Sequence, residues 1–174
     1  MEKITVEKTT LDNVFLIKPY IFEDHRGLYI KTYDFEEYSR VFLSYNIPKF
    51  EFIEDDISIS TLHVIKGIHG SYSNTWKLVG CLYGKIYVVV INYDEKSKQF
   101  GQWQSFILSD KNFNQILIPP KFGNGHLCLD QISIFSYKQS TYYDRSKQFT
   151  IKYNDERFNI WWPCKDPILS MRDS

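Results

Sequence analysis

Apolar and polar residues alternate in short runs along most of this chain. Val14–Lys18, Leu28–Tyr33, Phe50–Ser60, His63–Ile68 and Lys77–Leu82 read as strands, as do Lys85–Tyr93, Gln104–Leu108, Gln115–Ile118, Gly125–Leu129 and Ser133–Ser140. Many short strands separated by turn residues describe a sandwich or barrel. Tyr83-Gly84 marks a tight hairpin whose second arm, Ile86-Tyr87-Val88-Val89-Val90-Ile91, is apolar on both faces. That pattern predicts burial between two layers or at a subunit contact. One stretch has a different period: Asp34 and Glu37 make a capping-box pattern, and Phe35, Tyr38, Phe42 and Tyr45 recur at three- and four-residue steps up to Asn46–Pro48. A short helix with an aromatic core face follows from it. From Phe149 to Ser174 the pattern is mostly aperiodic and rich in Trp, Pro and Asp, so this segment is expected to wrap the barrel and end in an ordered tail.

Composition strengthens the β reading. The chain has no alanine but 13 Tyr, 13 Phe and 4 Trp, residues that suit half-buried pleated surfaces. Its 174 residues are enough for one domain with a real core, taken here as 1–174, and too few for two comfortable ones. Lys plus Arg balance Asp plus Glu at 21 each, so no global field draws the protein to nucleic acid or to an anionic membrane. Cys81, Cys128 and Cys164 are odd in number and lack CxxC spacing, which argues against a disulfide framework or a thiolate zinc site and fits a reducing cytoplasm. Met1–Asp12 lacks the apolar core of a signal peptide, and no run approaches a membrane span.

The candidate chemistry centres on His69, in Val64-Ile65-Lys66-Gly67-Ile68-His69-Gly70, with Lys77 a few residues on in Trp76-Lys77-Leu78-Val79. An imidazole accepts a proton near neutrality, and a fixed cation stabilises an oxyanion formed during reaction. A lone strand histidine is more often structural, so the surrounding motifs decide. They are Phe22-Glu23-Asp24-His25-Arg26-Gly27, Lys66-Gly67-Ile68-His69, Lys77-Leu78-Val79 with Gly84, Phe100-Gly101-Gln102-Trp103 and Ile118-Pro119-Pro120-Lys121-Phe122-Gly123. Tyr137-Lys138, Tyr142-Tyr143, Asn154-Asp155, Trp162-Pro163 and Leu169-Ser170-Met171-Arg172-Asp173 follow.

In that order and spacing the motifs resemble the nucleotide-sugar 3,5-epimerases, a cupin-fold family that includes the epimerase of dTDP-4-keto-6-deoxyglucose. The resemblance implies an all-β cupin (jelly-roll) barrel with no cofactor or metal, and a reach of Arg26 into a neighbouring subunit's site; a homodimer is expected because the two-sided strand Ile86–Ile91 and the high aromatic content offer more apolar surface than a small barrel can cover alone. It implies His69 as general base, Asp173 as the carboxylate that orients it, Lys77 at the substrate ketone and Tyr137 as the acid on the opposite sugar face. Protons at C3 and C5 of a 4-keto sugar are both acidified by the carbonyl, and inversion requires the proton to return from the other side. Arg26 and Lys66 are expected to bind the diphosphate, and Asp56, Asn124, His126 and Tyr142 to contact substrate. His25 and His63 have weaker cases.

Three departures modify the picture. Lys66 stands where the family commonly has arginine. Gly70 replaces an aromatic residue after the histidine, and Phe122-Gly123-Asn124-Gly125-His126 replaces Phe-Ala-His-Gly-Phe. Loss of bulk at Gly70 and of a histidine at Asn124 is expected to enlarge and re-polarise the sugar pocket, with His126 either a replacement contact or a core residue. These changes resemble the branch acting on GDP-4-keto-heptoses in capsule assembly, the preferred substrate class at this stage. A dTDP-4-keto-6-deoxyhexose 3,5-epimerase and a C3-only epimerase are the alternatives. A metal-dependent cupin is disfavoured because His69 lacks a His-x-His partner and Glu is absent from Ile57 to Ile91. A silent sugar-binding protein is disfavoured because base and acid are both kept.

Overall fold

The period-two alternation sorts the strands into two facing sheets. In a computed structural model, which describes residues 4–174, the strands are β1 (Thr5–Lys8), β2 (Phe15–Lys18), β3 (Ile21–Asp24), β4 (Gly27–Ile30), β5 (Glu54–Thr61), β6 (Ile65–Ser71) and β7 (Lys77–Tyr83). They continue with β8 (Lys85–Asn92), β9 (Trp103–Ser109), β10 (Gln115–Ile118), β11 (Phe122–Cys128), β12 (Ile132–Gln139) and β13 (Gln148–Thr150), and one helix, α1 (Phe35–Ser44), precedes β5. Six strands in the order β1-β2-β10-β7-β12-β5 face five in the order β13-β6-β11-β8-β9, while β3 and β4 form a separate hairpin. This is the jelly-roll barrel of a cupin. The sequence pattern did not reveal β1, β3 or β13, whose three or four residues carry neither the apolar run nor the alternation that marks the equally short β2 and β10.

The two-sided strand β8 is covered by its own chain. Ile86, Val88 and Val90 join Val79, Leu108, Ile116, Ile118 and Phe135 between the sheets. Tyr87, Val89 and Ile91 on its other face pack under Phe149, Ile151, Phe158, Ile160 and Trp162. The expected wrapping of the barrel by the segment after Phe149 therefore accounts for the second apolar face, and no subunit contact is needed to bury it. At roughly 1.5–3 kcal/mol for each large side chain fully buried, these clusters are the main stabilising term.

Helix α1 covers part of the outer face of the six-stranded sheet, where Tyr38 and Phe42 pack with Phe15, Ile17, Leu78 and Leu117. The Asp34 carboxylate accepts from the Glu37 N–H at 2.9 Å. Glu37 does not close the box: its carboxylate accepts from the Ile4 N–H at 3.2 Å and ties the N-terminal segment to the helix.

The strand that carries His69 is irregular in a way that matters. Asn124 of β11 pairs with His69 and His126 pairs with Lys66, so two steps on β11 match three on β6. The extra residue is a β-bulge. Gly67 occupies it at φ +101, and a Cβ there would lie 2.7 Å from the Asn124 carbonyl oxygen. Gly70 is glycine for a different reason. It sits opposite Phe149 in the β6–β13 pair, and a Cβ would fall 2.1 Å from Cζ of that ring and 2.6 Å from the Phe122 carbonyl oxygen. The expectation that Gly70 enlarges the sugar pocket is thus corrected: Gly70 packs beneath an aromatic ring and does not line the cavity.

Gly70→Ala should consequently lower stability by roughly 1–3 kcal/mol, the usual cost of overpacking. In urea unfolding the midpoint should fall with the slope unchanged; an unchanged midpoint would show that Phe149 and β11 yield without cost.

Candidate active site

Between the sheets lies a cavity of about 360 Å³, large enough for a sugar ring. The five-stranded sheet contributes Lys66 and His69 from β6, Asn124 and His126 from β11 and Gln148 from β13; the six-stranded sheet contributes Ser58 from β5, Lys77 from β7, and Phe135, Tyr137 and Gln139 from β12. Tyr143 and the tail residues Ser170, Arg172 and Asp173 complete the wall. Lys66 and His69 are three residues apart and would point to opposite faces of a regular strand. The bulge at Gly67 brings both inward.

His69 and Asp173 form a pair. Nε2 lies 2.8 Å from Asp173 Oδ1, an oxygen that makes no well-aligned hydrogen bond among the described residues. Asp173 is only 3% exposed, and its other oxygen accepts from the Ser170 hydroxyl at 2.9 Å and the Gly67 N–H at 3.5 Å. The tail is held by Ile65 N–H to the Ile168 carbonyl and Ile168 N–H to the His63 carbonyl, both at 3.0 Å, so the expectation of an ordered tail is met. Burial lowers the His69 pKa; the Asp173 carboxylate opposes this, while the cations Arg172 and Lys77 reinforce it. The imidazole is therefore neutral and able to accept a proton.

Lys77 is buried, and its ammonium donates to Asn124 Oδ1 at 3.3 Å, across the two sheets. An ammonium has three donors, so capacity remains for an oxyanion. Burial, with Arg172 adding, lowers its pKa to about 8. Tyr137 stands on β12, across the cavity from His69, and pairs in register with Asp56 of β5. Burial raises the phenol above its ordinary pKa, with the Asp56 and Glu54 carboxylates adding. It keeps its proton at neutral pH and can donate it. An imidazole ready to accept and a phenol ready to donate thus face one cavity from opposite sheets.

The other sequence candidates divide. Lys66 bonds the Ser58 hydroxyl at 2.6 Å and the Ile59 carbonyl at 3.2 Å. His126 stacks on Phe135 with ring centroids 4.2 Å apart, has no partner for Nε2 among the described residues, and is pushed down to about 3 by burial and Lys66. Asp56 lies beside Tyr137 and outside the cavity wall. Tyr142 is exposed, and its neighbour Tyr143 lines the cavity in its place. Arg26 is not brought to its own chain's cavity: it lies exposed at the tip of β3–β4, paired with Asp24 at 2.7 Å.

Sequence reasoning missed Arg172, Tyr143, Ser58, Gln139 and Thr150. The first lay in plain view beside Asp173, and Tyr143 beside Tyr142; the others carry no signal before strand register is known. Among the described residues, no three of His, Cys, Asp and Glu gather as metal ligands would.

A jelly-roll cavity with these groups on opposing sheets defines a cupin-fold isomerase, one that moves protons on and off carbon. The family model described as dTDP-4-dehydrorhamnose 3,5-epimerase matches residues 8–174, and the chain belongs to that family. It is 33% identical over 174 residues to the dTDP-4-dehydrorhamnose 3,5-epimerase of Escherichia coli (strain K12), covering 98% of this chain and 91% of the relative. A 3,5-epimerase from Legionella pneumophila, solved in complex with dTDP-4-keto-L-rhamnose, superposes with a TM-score of 0.91 at 30% identity, covering 98% of this chain and 89% of that one. The Bacillus anthracis dTDP-4-dehydrorhamnose 3,5-epimerase, with TDP and PPi bound, gives 0.90 at 30% identity over 98% and 96%.

The burial of His69 and Lys77 sets an expected pH window. With His69 as the expected base and Lys77 as the expected oxyanion partner, activity would need His69 neutral, which fails on the acid side, and Lys77 charged, which fails as pH rises through about 8. The profile of kcat/KM should be bell-shaped with its basic limb near pH 8. Lys77→Arg should be slower and lose that basic limb, because a guanidinium stays protonated; a limb unchanged in this variant would assign it to another group.

Proposed function

We propose that this protein inverts C3 and C5 of a dTDP-4-keto-6-deoxyhexose through a shared enolate, within one catalytic domain. The observation that carries the reading is the placement of His69 and Tyr137 on opposite sheets, with the Lys77 ammonium lining the same cavity. His69, oriented by Asp173, takes the proton next to the ketone; Lys77 stabilises the enolate oxygen; Tyr137 returns a proton from the other side. Lys66 and Arg172 add positive charge suited to a diphosphate. The relatives' names and the dTDP-type ligands in two related structures support dTDP better than the GDP-4-keto-heptose preferred from sequence. Two observations favour that second reading for the sugar: Asn124 in the cavity wall, where the resemblance implies a histidine, and the His126 nitrogen near Lys66 that lacks a partner among the described residues. Epimerisation at C3 alone is separated by the same assay.

The protein is proposed to work as a homodimer in the cytoplasm, where its three free cysteines stay reduced. Ile57, Ile59, Leu82 and Ile132 leave an exposed apolar stretch on the outer face of the six-stranded sheet, and the β3–β4 hairpin exposes Phe22, Leu28 and Tyr29. A second copy seated there would bury both and offer Arg26 to the neighbouring cavity. Sedimentation at micromolar concentration should give a dimer; a monomer would overturn this arrangement.

Incubation with dTDP- and GDP-linked 4-keto sugars in deuterated water, followed by NMR at C3 and C5, tests the function. The dTDP-4-keto-6-deoxyhexose should exchange both positions, and exchange with only the GDP-heptose would reverse the order of the two readings. His69→Asn should cut exchange by roughly 10²–10⁴-fold while the fold persists. Tyr137→Phe should keep washing deuterium in from the His69 side while forming little epimer. Equal loss of exchange and inversion would instead place Tyr137 in enolate stabilisation.

A further inference from the structure

Hydrogen-bond accounting around His69 reaches one residue beyond the dyad. Thr150 of β13 pairs directly opposite His69 of β6, so the two side chains share a face. Thr150 Oγ1 lies 3.1 Å from His69 Nδ1 and accepts from Arg172 Nε at 3.3 Å. On the far side of the ring, Nε2 faces the Asp173 carboxylate. A lone pair aimed at a carboxylate would be repelled, so Nε2 carries the proton and Nδ1 the lone pair. Arg172 can only donate, so the one proton of the Thr150 hydroxyl is free to point at Nδ1. The nitrogen that must attack the substrate proton is already occupied, and an imidazole nitrogen has only one in-plane lone pair to give.

We propose that Thr150 is a positioning residue for the base: aimed by Arg172, its hydroxyl holds the His69 Nδ1 lone pair in the free enzyme and releases it when the substrate diphosphate draws Arg172 away. The inference rests on the reading of His69 as general base. When the hydroxyl turns aside, the C–H bond next to the ketone breaks, its proton goes to Nδ1 and its electron pair stays on the substrate as the enolate. No bond to Thr150 is made or broken apart from this hydrogen bond. The charged groups facing His69 are Asp173 and Arg172 from the tail and Lys77 from β7; Thr150 is the neutral contact from β13. Arg172 suits the trigger because it lines the cavity and also reaches the Tyr143 hydroxyl at 3.4 Å, contacts a diphosphate can replace with stronger charge-assisted bonds.

The test compares wild type, Thr150→Val and Thr150→Ser by ¹⁵N NMR titration of the His69 imidazole in the ligand-free protein, assigned through His69→Asn. The ring should be protonated at Nε2 when neutral. The valine variant, which keeps the shape but removes the donor to the neutral form, should titrate about half to one pH unit higher, the equivalent of one ordinary hydrogen bond. The serine variant should return to the wild-type midpoint. In kinetics the acid limb of kcat/KM, which reports the free enzyme, should move with the NMR midpoint, while that of kcat, which reports the complex, should stay in place. A proton on Nδ1, an unmoved midpoint in the valine variant, failure of serine to restore it, or equal movement of both limbs would each overturn the proposal. The NMR arm needs no substrate, so a protein inactive on every 4-keto sugar fails the functional reading alone, and an active enzyme with an unmoved midpoint fails the Thr150 proposal alone.

Discussion

The site depends on one backbone irregularity, the bulge at Gly67. A regular strand would send Lys66 and His69 to opposite faces, one into the cavity and one into the layer beneath Phe149. The extra residue in β6 resets the alternation between them, and only glycine accepts the φ of +101 and the approach of the Asn124 carbonyl. The bulge also gives the tail a landing point, because the freed Gly67 N–H turns toward Asp173. The irregularity that aims the imidazole therefore helps to seat its carboxylate partner.

Burial sets the charge states around that frame. Removing an ammonium from water is costly, and Lys77 answers with a pKa lowered to about 8 and one hydrogen bond across the sheets. The cost returns as function, since a cation with unfilled donors in a low-dielectric cavity interacts most strongly when an oxyanion appears there. The same burial that weakens the Lys77 ammonium keeps His69 neutral and Tyr137 protonated. The groups proposed as base and acid thus rest in the states that proton transfer requires, without a separate device for each.

Much of this was legible in the sequence, for reasons that can be named. Among the longer strands, β12 announces itself through alternation and β8 through a continuous apolar run, and the helix through its cap and aromatic period. His69, Lys77, Tyr137 and Asp173, which line one cavity, could be singled out because each sits in a local motif. Sequence motifs do not give the direction of a side chain, so Gly70 read as space in the pocket when it is space for the Phe149 ring. Thr150 could not be found at all: its meaning comes from register with His69 across β13, a strand too short to show a period. Arg26 is expected as a phosphate ligand, and within one chain it pairs with Asp24, away from the cavity.

The two sheets differ in how they satisfy their outer faces, and that difference bears on assembly. The five-stranded sheet is covered by the chain's own segment from Phe149 onward, whose Phe158, Ile160 and Trp162 cap β8. Helix α1 covers the other sheet only around β2, β7 and β10, leaving Ile57 and Ile59 each 61% exposed on its β5 edge. β5 is also the strand that holds Ser58 against Lys66 and Asp56 beside Tyr137. Whatever covers its outer face stiffens the strand whose inner face flanks the acid, so a partner copy at this edge would support the geometry of Tyr137 as well as bury apolar surface.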